Sequence, residues 1–133
     1  MNKFLLDSDV CVSLIRNHQN VKKKIATVGS DHCFISEITV AELRFGAERS
    51  GRCKEEHYIV DLICKEFAVL PISDAIRTFA IEKARLWRIG QKIPDFDTLI
   101  GATAIYHKLV LVTNNTKHFE RIQSIRLENW ICQ

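Results

Sequence analysis

The sequence predicts an α/β fold with a mostly parallel central sheet flanked by helices, and three observations carry that prediction. Short apolar runs alternate with longer helical patterns through the whole chain. The short runs are continuously apolar, as strands buried on both faces require. Several of them stop at an acid or a polar turn, the place where functional groups gather in open parallel sheets.

Each element follows from a local pattern. Lys3 to Leu6 reads as a strand, because Phe4-Leu5-Leu6 is apolar throughout and Asp7-Ser8-Asp9 ends it. A helix follows from Ser8 to about Arg16, capped by Asp7 or Ser8. Val21 to Val28 reads as a second helix and Cys33-Phe34-Ile35 as a second strand. Ser36 caps a helix reaching about Glu48. Glu55 to Phe67 is helical in pattern, with Tyr58, Leu62 and Phe67 available for packing. Val69 and Leu70 fit a third strand, stopped by Pro71. Ser73 begins a helix to about Ile89, with Gly90 just past its end. Pro94 and Asp95 precede an apolar helix from Phe96 to Tyr106. Leu109 to Val112 is a fourth strand, closed by Thr113-Asn114-Asn115, and Ile125 to Leu127 a short fifth.

Composition sets the outer bounds. Hydrophobic residues make up 47% and charged residues 26% of 133 positions, which excludes a disordered chain, a collagen repeat and a coiled-coil rod. One domain over residues 1–133 is expected, with no low-complexity linker and no repeat. The apolar runs fall far short of the roughly 20 residues a membrane span needs. The N-terminus lacks the extended apolar region of a signal peptide, so a cytoplasmic location is expected. Five cysteines, at 11, 33, 53, 64 and 132, have no metal-site spacing and read as buried free thiols. A net charge of +3 permits an anionic partner without demanding one.

The acids carry the functional signal. Asp7 follows the first strand directly and either caps the next helix or faces a site. Glu42 has Ile38, Ala41 and Phe45 as helical neighbours, so it is expected to share an apolar face, where a carboxylate needs compensation. Asp97 sits in the first turn of a helix apolar nearly all round, where the helix dipole alone would favour it. Gly101, one turn on, leaves room for another segment to approach. Thr113 and Asn115 end the fourth strand. Acids converging from three segments raise one another's pKa unless a divalent cation compensates. Oxygen donors without His or Cys suit Mg²⁺ or Mn²⁺, and that chemistry serves phosphoryl transfer. His18, His32, His57, His107 and His118 share no motif and read as surface or packing residues.

Four segments in order complete the pattern. Phe4-Leu5-Leu6-Asp7-Ser8-Asp9 is similar to an opening LLDTN motif, and Ile35 to Leu43 to an ISxITxAEL segment. Pro94-Asp95-Phe96-Asp97-Thr98-Leu99-Ile100-Gly101 is similar to a third acidic motif. Val112 to Asn115, Phe119-Glu120-Arg121-Ile122 and Arg126 to Trp130 are similar to a C-terminal signature. With these the chain resembles the PIN-domain ribonucleases, and among them the VapC toxins of bacterial toxin–antitoxin pairs.

The resemblance implies a PIN-like fold and a Mg²⁺- or Mn²⁺-dependent endoribonuclease with Asp7, Glu42 and Asp97 as catalytic, metal-holding acids. It implies hydrolysis to a 5′-phosphate and a 3′-hydroxyl, an RNA substrate, and specifically initiator tRNA cut in its anticodon stem-loop to inhibit translation. It also implies a homodimer and a neutralising VapB-type antitoxin in a toxin–antitoxin hetero-oligomer. Two positions depart from the family. Asp9 stands where an amide is usual, and Asn115 where a fourth acid is frequent, with Asp95 or Glu120 as possible compensating acids and Thr113 beside them. Arg44, Arg49, Arg85, Arg88 and Lys92 are candidates for gripping RNA phosphates. The segments around Val60-Leu62-Ile63 and Ile76-Phe79-Ala80 are candidate partner surfaces, or core. Two alternatives stand beside this reading. One is a PIN-like domain that binds RNA or a partner without cutting. The other is a receiver-type domain using Asp7 and Asp9, with Asp74 as phospho-acceptor.

Overall fold

A five-stranded, wholly parallel sheet organises the computed structural model, which describes residues 2–132. The elements are β1 (Phe4–Leu6), α1 (Ser8–Ile15), α2 (Gln19–Val28), β2 (Cys33–Ser36), α3 (Glu37–Arg49), α4 (Cys53–Glu66), β3 (Ala68–Leu70), α5 (Ile76–Arg88), α6 (Asp95–His107), β4 (Val110–Val112), α7 (Thr116–Phe119) and β5 (Leu127–Glu128). Short 3₁₀ turns cover Ser30–His32 and Ser73–Ala75. The strand order is β3-β2-β1-β4-β5. The chain moves outward from β1 to β3, then returns to place β4 on the other side of β1. The order therefore reverses between β1 and β4, and the crevice beyond their C-terminal ends is where such sheets bind ligands.

Strand alternation explains why β1 is apolar at every position. Phe4 and Leu6 face one core with Val10, Val21, Phe67 and Trp130. Leu5 faces a second core with Ile100, Ala104, Phe119 and Ile122. Gly101 of α6 gives that second core its closeness: an added Cβ would lie 2.3 Å from Ile122 Cδ1. Gly90, at φ +69°, ends α5 as expected. Its N–H bonds the Trp87 carbonyl and the Gln91 N–H bonds the Leu86 carbonyl, the paired closure that a left-handed residue permits.

Several expectations change. The helix expected from Ser73 opens as a 3₁₀ turn, and α5 proper starts at Ile76. The turn after β4 continues into α7, a single helical turn pinned by fully buried Phe119. Glu42 does not share a core face with Ala41 and Phe45. Phe45 is 63% exposed, and the buried stripe of α3 is Ile38, Thr39, Leu43 and Ala47. Glu42 lies at the border of that stripe, half-buried. Cys11 and Cys33 are buried thiols, but Cys53 and Cys132 are exposed. Val60 and Ile63 belong to the core, whereas Leu62 and Ile76 are exposed. The receiver-type alternative falls on topology: such domains use the order 2-1-3-4-5, and Asp74 here lies exposed in a 3₁₀ turn after an edge strand. Among the described residues no helix is long and apolar enough to cross a membrane.

Candidate active site

The crevice is built by strand ends and first helical turns. Leu6 of β1 pairs with Val112 of β4, so the next residues, Asp7 and Thr113, stand side by side. Asp7 caps α1: its Oδ1 accepts from the Ser8 N–H at 2.8 Å, and its Oδ2 accepts from the Thr113 hydroxyl at 2.9 Å. Asp9, in the first turn of α1, accepts from the Asn114 N–H at 2.9 Å and faces the Thr113 hydroxyl at 3.5 Å. The acid that replaces the usual amide thus still ties α1 to the loop after β4. Glu42 reaches the same crevice from α3 and accepts from the Ser8 hydroxyl. Asp97 enters from the first turn of α6 and contacts His118 Nδ1 through Oδ2 at 3.0 Å.

Electrostatics shows that these acids converge. Burial and then the charge of Asp9 push Asp7 up to about 7, with a smaller push from Glu42. Burial raises Asp9, and Asp97 raises it further. Burial raises Glu42, with Asp97 and Asp9 adding to it. Asp7 thus feels the charges of Asp9 and Glu42, and Glu42 those of Asp9 and Asp97. Among the described residues, no lysine or arginine forms an ion pair with Asp7, Asp9, Glu42 or Asp97. Among these acids two buried oxygens, Asp9 Oδ1 and Glu42 Oε1, have no hydrogen-bond partner.

That donor set fits a hard divalent cation. Burying unpaired carboxylate oxygens costs several kcal/mol unless something compensates. Asp9 and Glu42 each keep one oxygen tethered and one free, beside Asp7 and Asp97. Among the described residues no three His, Cys, Asp or Glu side chains lie close enough together as they stand to hold an ion. The fit therefore rests on oxygen donors, convergence and missing cations.

The other sequence candidates lie elsewhere. Asp95 is paired with Lys83 at 2.9 Å, and Glu120 is exposed beside Arg121 and Lys92. Asn115 points its amide at His118 Nδ1, 3.0 Å away, while its backbone N–H donates to the Thr113 hydroxyl. Arg44 is held by Asp61 at 2.6 Å and by the His57 carbonyl. Arg85 is locked to Glu82 by two bonds and to the Arg121 carbonyl. Arg49 is exposed over the Phe45 ring, Arg88 is exposed on α5, and Lys92 covers Trp87 with Nζ 3.7 Å from the ring centroid. A groove of about 680 Å³ runs from Ser8 and Glu42 past Phe45, Arg49, Val60 and Phe96.

Sequence reasoning passed over Ser8, Asn114 and, above all, His118, which is no mere surface residue. The available signal was spacing: His118 lies three residues after Asn115, and so on the same side of a helical turn.

Comparison with known proteins places the chain in a family. The chain matches the PIN domain model over residues 4–125. The chain belongs to the PIN-domain family. This PIN domain is 35% identical over 132 residues to the tRNA(fMet)-specific endonuclease VapC of Salmonella typhimurium, covering 98% of this chain and 99% of the relative. It is 31% identical over 131 residues to the protein of the same name from Shigella flexneri, again covering 98% and 99%. Its fold superposes with a TM-score of 0.91 on a chain of DNA-bound VapBC from Salmonella typhimurium, at 33% identity, covering 98% and 99%. As a VapC-type PIN domain it is a ribonuclease. PIN-domain nucleases are generally dependent on divalent metal.

Proposed function

We propose that the chain, read as a single PIN domain, is a toxin endoribonuclease whose Asp7, Glu42 and Asp97, with Asp9 beside them, hold Mg²⁺ or Mn²⁺ against an RNA phosphodiester. The observation that carries this is the convergence of carboxylates at the β1–β4 crevice with, among the described residues, no lysine or arginine paired to them. A divalent ion there supplies Lewis acidity toward the phosphoryl oxygens and activates water. The protein's own groups do the positioning. Ser8 and Thr113 hold Asp7, Ser8 holds Glu42, and Asn114 holds Asp9. The buried Asp9 Oδ1 and Glu42 Oε1, which have no protein partner, are the oxygens left open toward the ion. In the overall hydrolysis, water oxygen bonds to phosphorus, the bond to the 3′ oxygen breaks, and the proton lost by the water ends on that oxygen, giving a 3′-hydroxyl and a 5′-phosphate.

The substrate follows from the relatives named as tRNA(fMet)-specific. Initiator tRNA, cut in its anticodon stem-loop to inhibit translation in the cytoplasm, is the reading they support. Exposed Arg49, Arg88 and Lys92 are available to phosphates, whereas Arg44 and Arg85 are engaged by internal partners. A VapB-type antitoxin is the protein partner, in a hetero-oligomer built on a toxin homodimer. The groove along Phe45 and Phe96 to Glu42 gives its chain a path to the acids.

The test is cleavage of bulk tRNA and of defined initiator tRNA by partner-free protein in Mg²⁺, Mn²⁺ or EDTA. Asp7→Asn and Asp97→Asn variants, checked for folding, run alongside. One metal-dependent cut, absent from both variants, is expected. Cutting that persists in EDTA, or in both variants, would sink the metal-acid mechanism. Retained RNA binding without any cut would favour the non-cutting domain.

A further inference from the structure

We propose that His118 is a positioning residue of this acid site, holding Asp97 in place for the ion, and that Asn115 braces His118 instead of serving as a ligand. The inference rests on the ribonuclease reading above only for its cleavage readout.

Three of the four acids are tethered by donors that belong to neighbouring backbone or hydroxyl groups: Asp7 by Ser8 and Thr113, Asp9 by Asn114, Glu42 by Ser8. Asp97 differs. Its contact is the His118 imidazole, with Nδ1 3.0 Å from Oδ2. The start of α6 offers no substitute, because its cap is Pro94 and no side chain caps the helix. A carboxylate that holds an ion only accepts, so in that role Asp97 needs the Nδ1–H tautomer of the ring. The carboxamide of Asn115 lies 3.0 Å from the same nitrogen; with its oxygen on that side, the orientation that a ring donating to Asp97 requires, it shares the one Nδ1–H with Asp97.

The ring is itself well placed to be a support. It sits on α7, a single turn whose next residue, Phe119, is 0% exposed in the second core. The turn is tied at its other end, where the Asn115 N–H donates to the Thr113 hydroxyl at 3.0 Å and that hydroxyl donates to Asp7 at 2.9 Å. A continuous path thus runs Asp7–Thr113–Asn115–His118–Asp97. It links the acid at the end of β1 to the acid at the start of α6 through the loop after β4. With Oδ2 of Asp97 held from the loop side, Oδ1 remains for the ion. Partners that orient ligating groups in this way are worth about 10- to 100-fold in metal affinity or activity.

The test compares wild type, His118→Ala and His118→Asn, each also in an Asp97→Asn background. Mn²⁺ affinity is measured by calorimetry on the full chain without RNA, and kcat and KM on the RNA that wild type cuts. Thermal midpoints in EDTA check folding. Loss of the ring should weaken Mn²⁺ about 10-fold and lower kcat similarly, with KM for RNA unchanged. The short amide of His118→Asn can place an N–H where Nδ1–H was, so it should recover most of the loss. In the Asp97→Asn background, removing the ring should change Mn²⁺ affinity no further.

The proposal is overturned if His118→Ala binds Mn²⁺ as wild type does, or if wild type binds none. It is equally overturned if the loss is undiminished in the Asp97→Asn background, or if His118→Asn recovers nothing, since the ring nitrogen would then act directly. A wild type that binds Mn²⁺ yet cuts no RNA would remove the ribonuclease reading, and the affinities alone would then decide the role of His118.

Discussion

Asp7 and Glu82 are buried to almost the same degree, 6% and 7% exposed, but they live in opposite surroundings. Glu82 lies on α5, where Arg85 grips both its oxygens at 2.9 and 3.0 Å and the Gln123 N–H adds a third bond. Asp7 lies in the β1–β4 crevice with Asp9 and Glu42 raising its pKa and no lysine or arginine paired to it. A carboxylate with its own cation is part of the framework, whereas one buried among like charges is kept ready for something absent from the chain. Burial alone does not distinguish the two; the presence or absence of a compensating charge does.

Neutralising one acid at each place should break the symmetry between them. Asp7→Asn should abolish cleavage by on the order of 10³-fold, since it removes an oxygen donor for the ion. It should leave the ion-free protein as stable as wild type or more so, because a buried charge is removed without orphaning a cation. Cleavage kinetics with thermal melts in EDTA check both parts.

Acidity should sharpen the contrast next. The folded-state pKa of Asp7 is about 7 against an ordinary 3.8, so between those values the folded state holds a proton that the unfolded state has released. The contribution of Asp7 to the stability of the ion-free protein is therefore full below about pH 4, declines as pH rises, and levels off above about pH 7. The full extent is at most roughly 4 kcal/mol from this group by linkage, and Asp9 and Glu42 act in the same direction. Saturating Mn²⁺ should flatten the profile by replacing the proton. Melts across that range in EDTA and in Mn²⁺ read it directly, and a stability in EDTA that climbs from pH 5 to 7 would contradict the assignment.

Glu82→Gln should have the opposite character to Asp7→Asn. It strips Arg85 of its charge partner in a half-buried position and should cost about 2 kcal/mol of stability, while the chain retains its cleavage rate below the melting range. The smallest effect concerns the support beneath the site. Gly101→Ala would press on Ile122 Cδ1, the movable end of a side chain, so denaturant melts should show a loss of about 1 kcal/mol with ion affinity preserved.

How far the sequence could be read depended on the range of the cause. The strand at Phe4-Leu5-Leu6, the cap at Ser36, the close approach at Gly101 and the end at Gly90 all agreed with the structure, because each is decided within one turn or one run of residues. Phe45 was misplaced because Ile38, Ala41 and Phe45 fall on one apolar face by spacing, while the face that α3 buries is chosen by what packs against it. His118 was passed over for a similar reason: its partner is 21 residues away, and the Thr113–Asp7 bond spans 106.

The sequence by itself determined the alternation of strands and helices, the acids at their ends and the family to which the chain belongs, since periodicity and punctuation are local and motifs are linear. Tertiary structure alone decided which acids share a crevice, which arginines are already engaged, and that an imidazole joins Asp97. Those outcomes depend on strand order: its reversal between β1 and β4 brings segments that are remote in the chain to one end of the sheet, where their charges must answer one another.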